Sequence, residues 1–178
     1  MLDAWILTIW ENPAMRLSNR VIFAFIFVAS AALIADAIFY MQEQLGLEPC
    51  PMCILQRYAF IALGVAALIG AIHGRAARVY GSLVLLFSIA GAGVAIRHSY
   101  VQHFPPKGQS CGTDLMFMLD AFPLTQALPK IFAGTGDCSA VSWTFLGLSI
   151  PEWALVWFVI FGALALWVCV RRQAAARF

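Results

Sequence analysis

Four long apolar runs constrain this chain more than any motif does. Residues 21–41 are broken only by Asp36, near one end, and residues 54–72 carry one charge, Arg57, in the first turn. Residues 79–96 and 153–170 carry none. A bilayer core is crossed by about 20 mostly apolar residues in a helix, and each run approaches that length. Across the chain 62% of residues are hydrophobic and only 11% are charged. Soluble domains carry charge on roughly a quarter of their residues, so the surplus apolar surface has to face lipid. Backbone groups in lipid need partners within their own segment, which favours helices. Continuous hydrophobicity without alternation speaks against a barrel. The expectation is an all-α, integral membrane, four-helix transmembrane bundle forming a single domain. Ala29-Ser30-Ala31 loosely resembles a leader-peptide cleavage site, but the apolar run continues past it and a 20-residue stretch precedes it. A retained first helix is expected.

Lys and Arg set the orientation. Arg16 and Arg20 precede the first run, Arg75 and Arg78 separate the second from the third, and Arg171, Arg172 and Arg177 follow the fourth. All fall on one side of a four-pass chain, which the positive-inside rule makes cytoplasmic. Both termini are therefore expected inside. The connections at 42–53 and 97–152 face the opposite compartment, where Glu43, Glu48, Asp114, Asp120 and Asp137 stand against only Lys107 and Lys130 well outside the helices.

This topology sorts the five cysteines. Cys50 and Cys53 lie in the first outer loop, Cys111 and Cys138 in the second, and Cys169 at the inner end of the last helix. Disulfides persist in oxidising compartments such as the bacterial periplasm, so the four outer cysteines are two potential redox pairs. Four cysteines allow three connectivities. Cys50–Cys53 with Cys111–Cys138 is the simplest, and a transient link between the loops is open if they meet. Cys169 is expected to be a reduced, packed residue.

Cys50-Pro51-Met52-Cys53 carries chemistry in its position. Pro51 suits the first turn of a helix, where no N–H is needed. The helix N-terminus beneath the cysteines favours thiolate over thiol. A two-residue spacer closes a tight, easily reduced ring. Zinc sites and structural clips share the same spacing. Arg57 lies four residues after Cys53 and therefore one turn deeper on the same face. An ionisable group inside a membrane segment is costly and marks function by default. A guanidinium there can stabilise a thiolate or the oxyanion of a bound carbonyl compound. The bland alternative is an arginine snorkelling to lipid phosphate. His98, beside Arg97 at the outer end of the third helix, is either an aid to proton uptake or a simple interfacial histidine. His73 and His103 carry no assignment.

The long outer loop is punctuated by Pro105, Pro106, Gly108, Gly112, Pro123, Pro129, Gly134 and Gly136 and is expected to be mostly irregular. Residues 115–132 are apolar but too interrupted to span. A short helix on the membrane surface is expected there. No repeat, nucleotide motif or basic stripe for nucleic acid is evident.

Together these residues resemble the disulfide bond formation protein B (DsbB) family of bacterial inner-membrane thiol:quinone oxidoreductases. The resemblance runs from the first helix to the fourth. It is carried by Pro49-Cys50-Pro51-Met52-Cys53 with Arg57, by His98 ahead of Cys111, and by Gly136-Asp137-Cys138. The run Trp143-Thr144-Phe145-Leu146-Gly147-Leu148-Ser149-Ile150-Pro151-Glu152-Trp153 completes it. The resemblance implies that Cys111 forms the mixed disulfide with a reduced periplasmic DsbA-like thiol oxidoreductase, with Cys138 as its mate. It implies that Cys50 and Cys53 form the membrane-proximal pair, with Cys53 contacting the quinone, ubiquinone or menaquinone. Arg57 and His98 are implied to lie at the quinone site. Some family members have an acidic residue where this chain has Gln56. The implied reaction is a thiol-disulfide relay ending on the quinone, and no metal is expected. Two other readings compete: a membrane quinone or epoxide reductase of the vitamin K type, and a non-enzymatic membrane protein whose cysteines hold a metal or a structural disulfide. Four reduced thiols on an oxidising side count against the metal.

Overall fold

The computed structural model describes residues 19–74, 76–105 and 138–170. Cys111, Arg16, Arg75, Arg171, Arg172, Arg177 and the expected surface helix at 115–132 lie outside these residues. The elements are α1 (Asn19–Ala35), a π-helical continuation (Asp36–Gln44), α2 (Pro51–His73), α3 (Ala77–His103), a two-stranded hairpin of β1 (Thr144–Phe145) and β2 (Leu148–Ser149), and α4 (Ile150–Val170). The four helical segments are each long and apolar enough to cross a membrane, as the hydropathy requires.

Their ends depart from the apolar runs in instructive ways. The first helix continues to Gln44 rather than stopping near 41, and its last nine residues are wound as a π-helix. The second begins at Pro51 rather than 54, because Pro51 occupies the first helical position and Cys50 caps it. The third extends to His103, past the expected 96, so hydropathy underestimates it where polar residues continue the helix. The fourth starts three residues early, at Ile150. Glu152 reaches back to Ser149 there, as in one half of a capping box: its Oε2 accepts from the Ser149 backbone N–H at 2.6 Å and from the Ser149 hydroxyl at 3.0 Å. The inner turn between α2 and α3 is closed by Gly74, a left-handed cap at φ 65°.

Helices α2, α3 and α4 pack around a dry aromatic centre. Phe60 and Phe158 stack at 4.0 Å between centroids, and Phe161 meets Phe60 edge-on at 6.2 Å. Gly91 on α3 admits the Phe158 ring, since a Cβ at that position would collide with it. α1 closes on α2 in the same way, through Ser30 against Gly64. Between membrane helices there is no hydrophobic drive to associate, so small residues that allow close contact supply the packing. The outward faces carry the remaining bulk: Val28, Ile89 and Val170 are 62%, 63% and 72% exposed, surfaces suited to lipid.

The hairpin was not expected in an all-α chain. Thr144 pairs with Ser149 and Phe145 with Leu148, leaving Leu146 and Gly147 as a two-residue turn. Both turn residues have positive φ, 53° and 82°, the type I′ geometry that matches strand twist. The Trp153 indole N–H donates to the Phe145 carbonyl at 3.0 Å, fastening the hairpin to α4.

Candidate functional site

The cysteine end of the bundle is where the helices part. Cys50 is the N-cap of α2, and its sulfur accepts the Cys53 backbone N–H at 3.3 Å. The Cys50 thiol donates to Cys53 Sγ across 3.1 Å. Cys138, fully buried, packs into the same small cluster with Cys50, Met52 and Val101. Hydrogen bonds to Cys138 and Cys53, together with burial, push the Cys50 thiol far above the ordinary thiol range. Within the close pair Cys50 is thus the donor sulfur and Cys53 the acceptor. Free thiolate, not thiol, is the nucleophile.

His98 is only 2% exposed and sits behind this pair. Its Nε2 lies 3.6 Å from Cys50 Sγ, and Gln56 Nε2 donates to its Nδ1 at 3.4 Å. The Cys138 backbone is also hydrogen-bonded to the ring. The interfacial reading of His98 is therefore set aside: α3 runs on to His103, and the histidine faces into the protein. Gln56 is equally buried and serves as its hydrogen-bond partner. Arg97, next in sequence, places its guanidinium over Tyr100, 5.4 Å from the ring centroid.

Arg57 does not snorkel to the surface. Its Nη1 donates to Gln42 Oε1 at 3.0 Å and its Nη2 to the Ala37 carbonyl at 2.9 Å. Both acceptors belong to the π-helical segment. π-Helical turns are rare and recur at functional sites; here one supplies the groups that hold the cation in place. The positive field of Arg57 reaches Cys53, one turn above.

Cys53, Arg57 and His98 line one cavity of about 280 Å³ to which all four helices contribute. Leu33, Ile34, Met41 and Phe60 supply apolar walls, and Trp143, Trp153 and Trp157 close the hairpin side. A flat, oil-soluble carbonyl compound fits such a site: apolar walls, a fixed cation for a carbonyl oxygen and a sulfur nucleophile. The sequence pointed to Cys50, Cys53, Arg57, His98 and Cys138, and the structure brings all five to this region; Cys111 lies outside the described residues. Gln42, the tryptophans and the structural role of Gln56 were not singled out. For Gln42 the available signal was a polar residue eight positions before Cys50 at a helix end, too weak alone.

The chain matches the family model "Disulfide bond formation protein DsbB" over residues 19–168. It is 48% identical over 163 residues to disulfide bond formation protein B of Azoarcus sp., covering 90% of this chain and 98% of the relative. The protein of the same name from Saccharophagus degradans is 47% identical over 168 residues, covering 92% and 98%. That of Aromatoleum aromaticum is 46% identical over 159 residues, covering 88% and 95%. The chain belongs to the DsbB family. It is a multi-pass membrane enzyme that generates disulfides, a protein-disulfide:quinone oxidoreductase.

Proposed function

We propose that this member of the DsbB family reoxidises a periplasmic DsbA-like protein through Cys111 and Cys138, and passes the electrons through Cys50 and Cys53 to ubiquinone or menaquinone. The chain lies in the bacterial inner membrane with both termini cytoplasmic. The observation that carries this reading is a juxtaposition. Cys53 lines a mainly apolar cavity together with Arg57, while Cys138 packs against Cys50.

The relay starts from two disulfides, Cys111–Cys138 and Cys50–Cys53. A partner thiolate attacks Cys111, forming a mixed disulfide and releasing Cys138 as thiolate. Cys138 attacks Cys50, the sulfur it packs against, and the bond to Cys53 breaks with the electron pair left on Cys53. The partner's second thiol then displaces Cys111, which attacks Cys138 and restores the loop disulfide. Cys50 leaves and takes a proton, and the pair is now a dithiol.

A bound quinone supplies the oxidising power, taking two electrons and two protons per disulfide formed. DsbA is a strong oxidant at about −120 mV, so its reoxidation demands a high-potential acceptor. Arg57, fixed by Gln42 and the Ala37 carbonyl, offsets negative charge at a carbonyl oxygen. His98, hydrogen-bonded by Gln56 and adjacent to Cys50, is placed to relay the Cys50 proton.

The test combines purified protein, a reduced DsbA-like oxidoreductase and a soluble quinone, with quinone absorbance as the readout. Quinone loss that disappears in Cys53→Ala is expected. Loss that persists without Cys53, or absence of loss with an intact partner, would remove the reading.

A further inference from the structure

The cluster behind the cavity has a second property that electron relay does not use. Cys50 Sγ, Cys53 Sγ and a ring nitrogen of His98 all lie within 4.8 Å of one another. Cys50 Sγ is 3.1 Å from Cys53 Sγ and 3.6 Å from His98 Nε2. In a tetrahedral zinc centre, with bonds of about 2.3 Å to sulfur and about 2.0–2.1 Å to nitrogen, a sulfur–nitrogen edge is about 3.6 Å and a sulfur–sulfur edge about 3.8 Å. The Cys50–His98 edge already has that length. The Cys50–Cys53 edge needs to open by well under the width of an atom, a small turn of one side chain. The two-residue spacing between the cysteines is also the ligand spacing of zinc knuckles.

The surroundings complete the fit. A ligating histidine usually has its second ring nitrogen held by a hydrogen bond that fixes the ring. Gln56 holds His98 Nδ1 in this way. With its amide turned over, Gln56 accepts from Nδ1–H, and the Nε2 lone pair is free to point at the sulfurs. Two thiolates and one neutral imidazole balance a divalent cation, and a water fills the fourth tetrahedral position.

We propose that the reduced Cys50–Cys53 pair and His98, completed by a water, form a redox-gated site for a zinc-class divalent cation, and that its occupancy blocks reoxidation of the pair. The inference rests on the reading that Cys50 and Cys53 cycle between dithiol and disulfide. A disulfide sulfur has no thiolate charge to give, so the oxidised site does not bind. Binding to the reduced site releases one proton from each ligating thiol and changes no oxidation state. The cation thus holds the enzyme at the dithiol stage. The objection that these thiols should be oxidised applies only to the resting half of the cycle.

The probe is Co²⁺ added anaerobically to the full chain in detergent, after phosphine reduction and removal of reductant. The expected result is tetrahedral visible bands with thiolate charge transfer, saturating at a single equivalent, bleached by Zn²⁺ and absent from the oxidised protein. His98→Gln should weaken Co²⁺ binding by at least about tenfold, and Gln56→Glu, which supplies a carboxylate to the ring, should tighten it by about tenfold. No tetrahedral spectrum in the reduced chain, the same spectrum in the oxidised chain, or indifference to His98→Gln would each overturn the site. Because the first comparison uses the unmodified chain in two redox states, misfolding of a variant cannot rescue the idea. Cys53-dependent quinone reduction without Co²⁺ binding would defeat this inference alone. Redox-gated Co²⁺ binding by a chain that reduces no quinone in the metal-free state would leave the site standing and defeat the relay.

Discussion

The middle of the bundle and its cysteine end are built from the same four helices to opposite specifications. In the middle, Phe60, Phe158 and Phe161 fill the space and Gly91 yields room for a ring. At the cysteine end the helices part around about 280 Å³ of cavity, polar groups are buried, and one helix changes its winding. Phe60 belongs to both regions, as core residue and as cavity wall. The contrast teaches that rigidity below supports an open, chemically loaded site above. Burying Gln56 and His98 is costly unless they find partners, and they find each other.

If that division is right, substitutions in the two regions should separate cleanly in what they damage. The largest expected effect is at the cysteine end: Cys53→Ala should reduce quinone-linked turnover to background while the melting temperature in detergent stays near wild type. Next is Arg57→Ala, expected to lower quinone reduction on the order of 10²-fold, the scale for losing an aligned electrostatic partner. Single-turnover exchange with the reduced partner should change only a few-fold in the same variant. Equal losses in both steps would erase the assignment of Arg57 to the quinone side. In the middle, Gly91→Val should push against Phe158 and cost about 1–3 kcal/mol, read as a lower melting temperature. Its specific activity per folded molecule should hold; a drop there instead would show that the core and the cavity are not separable. The smallest effect expected is that of Gln42→Ala, which removes one of the two acceptors of Arg57. A hydrogen bond to a charged group is worth about 1.5–3 kcal/mol, but the Ala37 carbonyl remains. Quinone reduction should therefore fall several-fold, less than in Arg57→Ala.

The two regions were also unequally legible. Hydropathy alone gives four spans, because a lipid-facing helix must be apolar over its whole length. The Cys53–Arg57 relation is local, a single helical turn, and needs no tertiary knowledge. The relation of Cys138 to Cys50 is set by how a distant part of the chain returns to the bundle, which spacing does not encode. His98 stayed open between two readings for a similar reason: flanked by Arg97, it could be interfacial or part of the site, and the burial of its ring depends on how the helices pack. The π-helical winding at 36–44 has no propensity signature. By contrast, Ser149-Ile150-Pro151-Glu152 carries a readable helix-start pattern, Ser-x-x-Glu, which hydropathy alone passed over in starting the fourth helix at 153.

Cys138 reaches its place by a chain that is moored immediately beyond it: the Ala140 carbonyl accepts from Gln102 Nε2 at 3.5 Å, on the last turn of α3. A sulfur held in this way meets Cys50 as a tethered neighbour rather than as a solute. Its local concentration is governed by the mooring, on the millimolar scale or above, and stays the same however dilute the protein becomes. Handover inside the molecule should therefore run at a rate independent of protein concentration, leaving encounter with the soluble dithiol as the step that responds to supply.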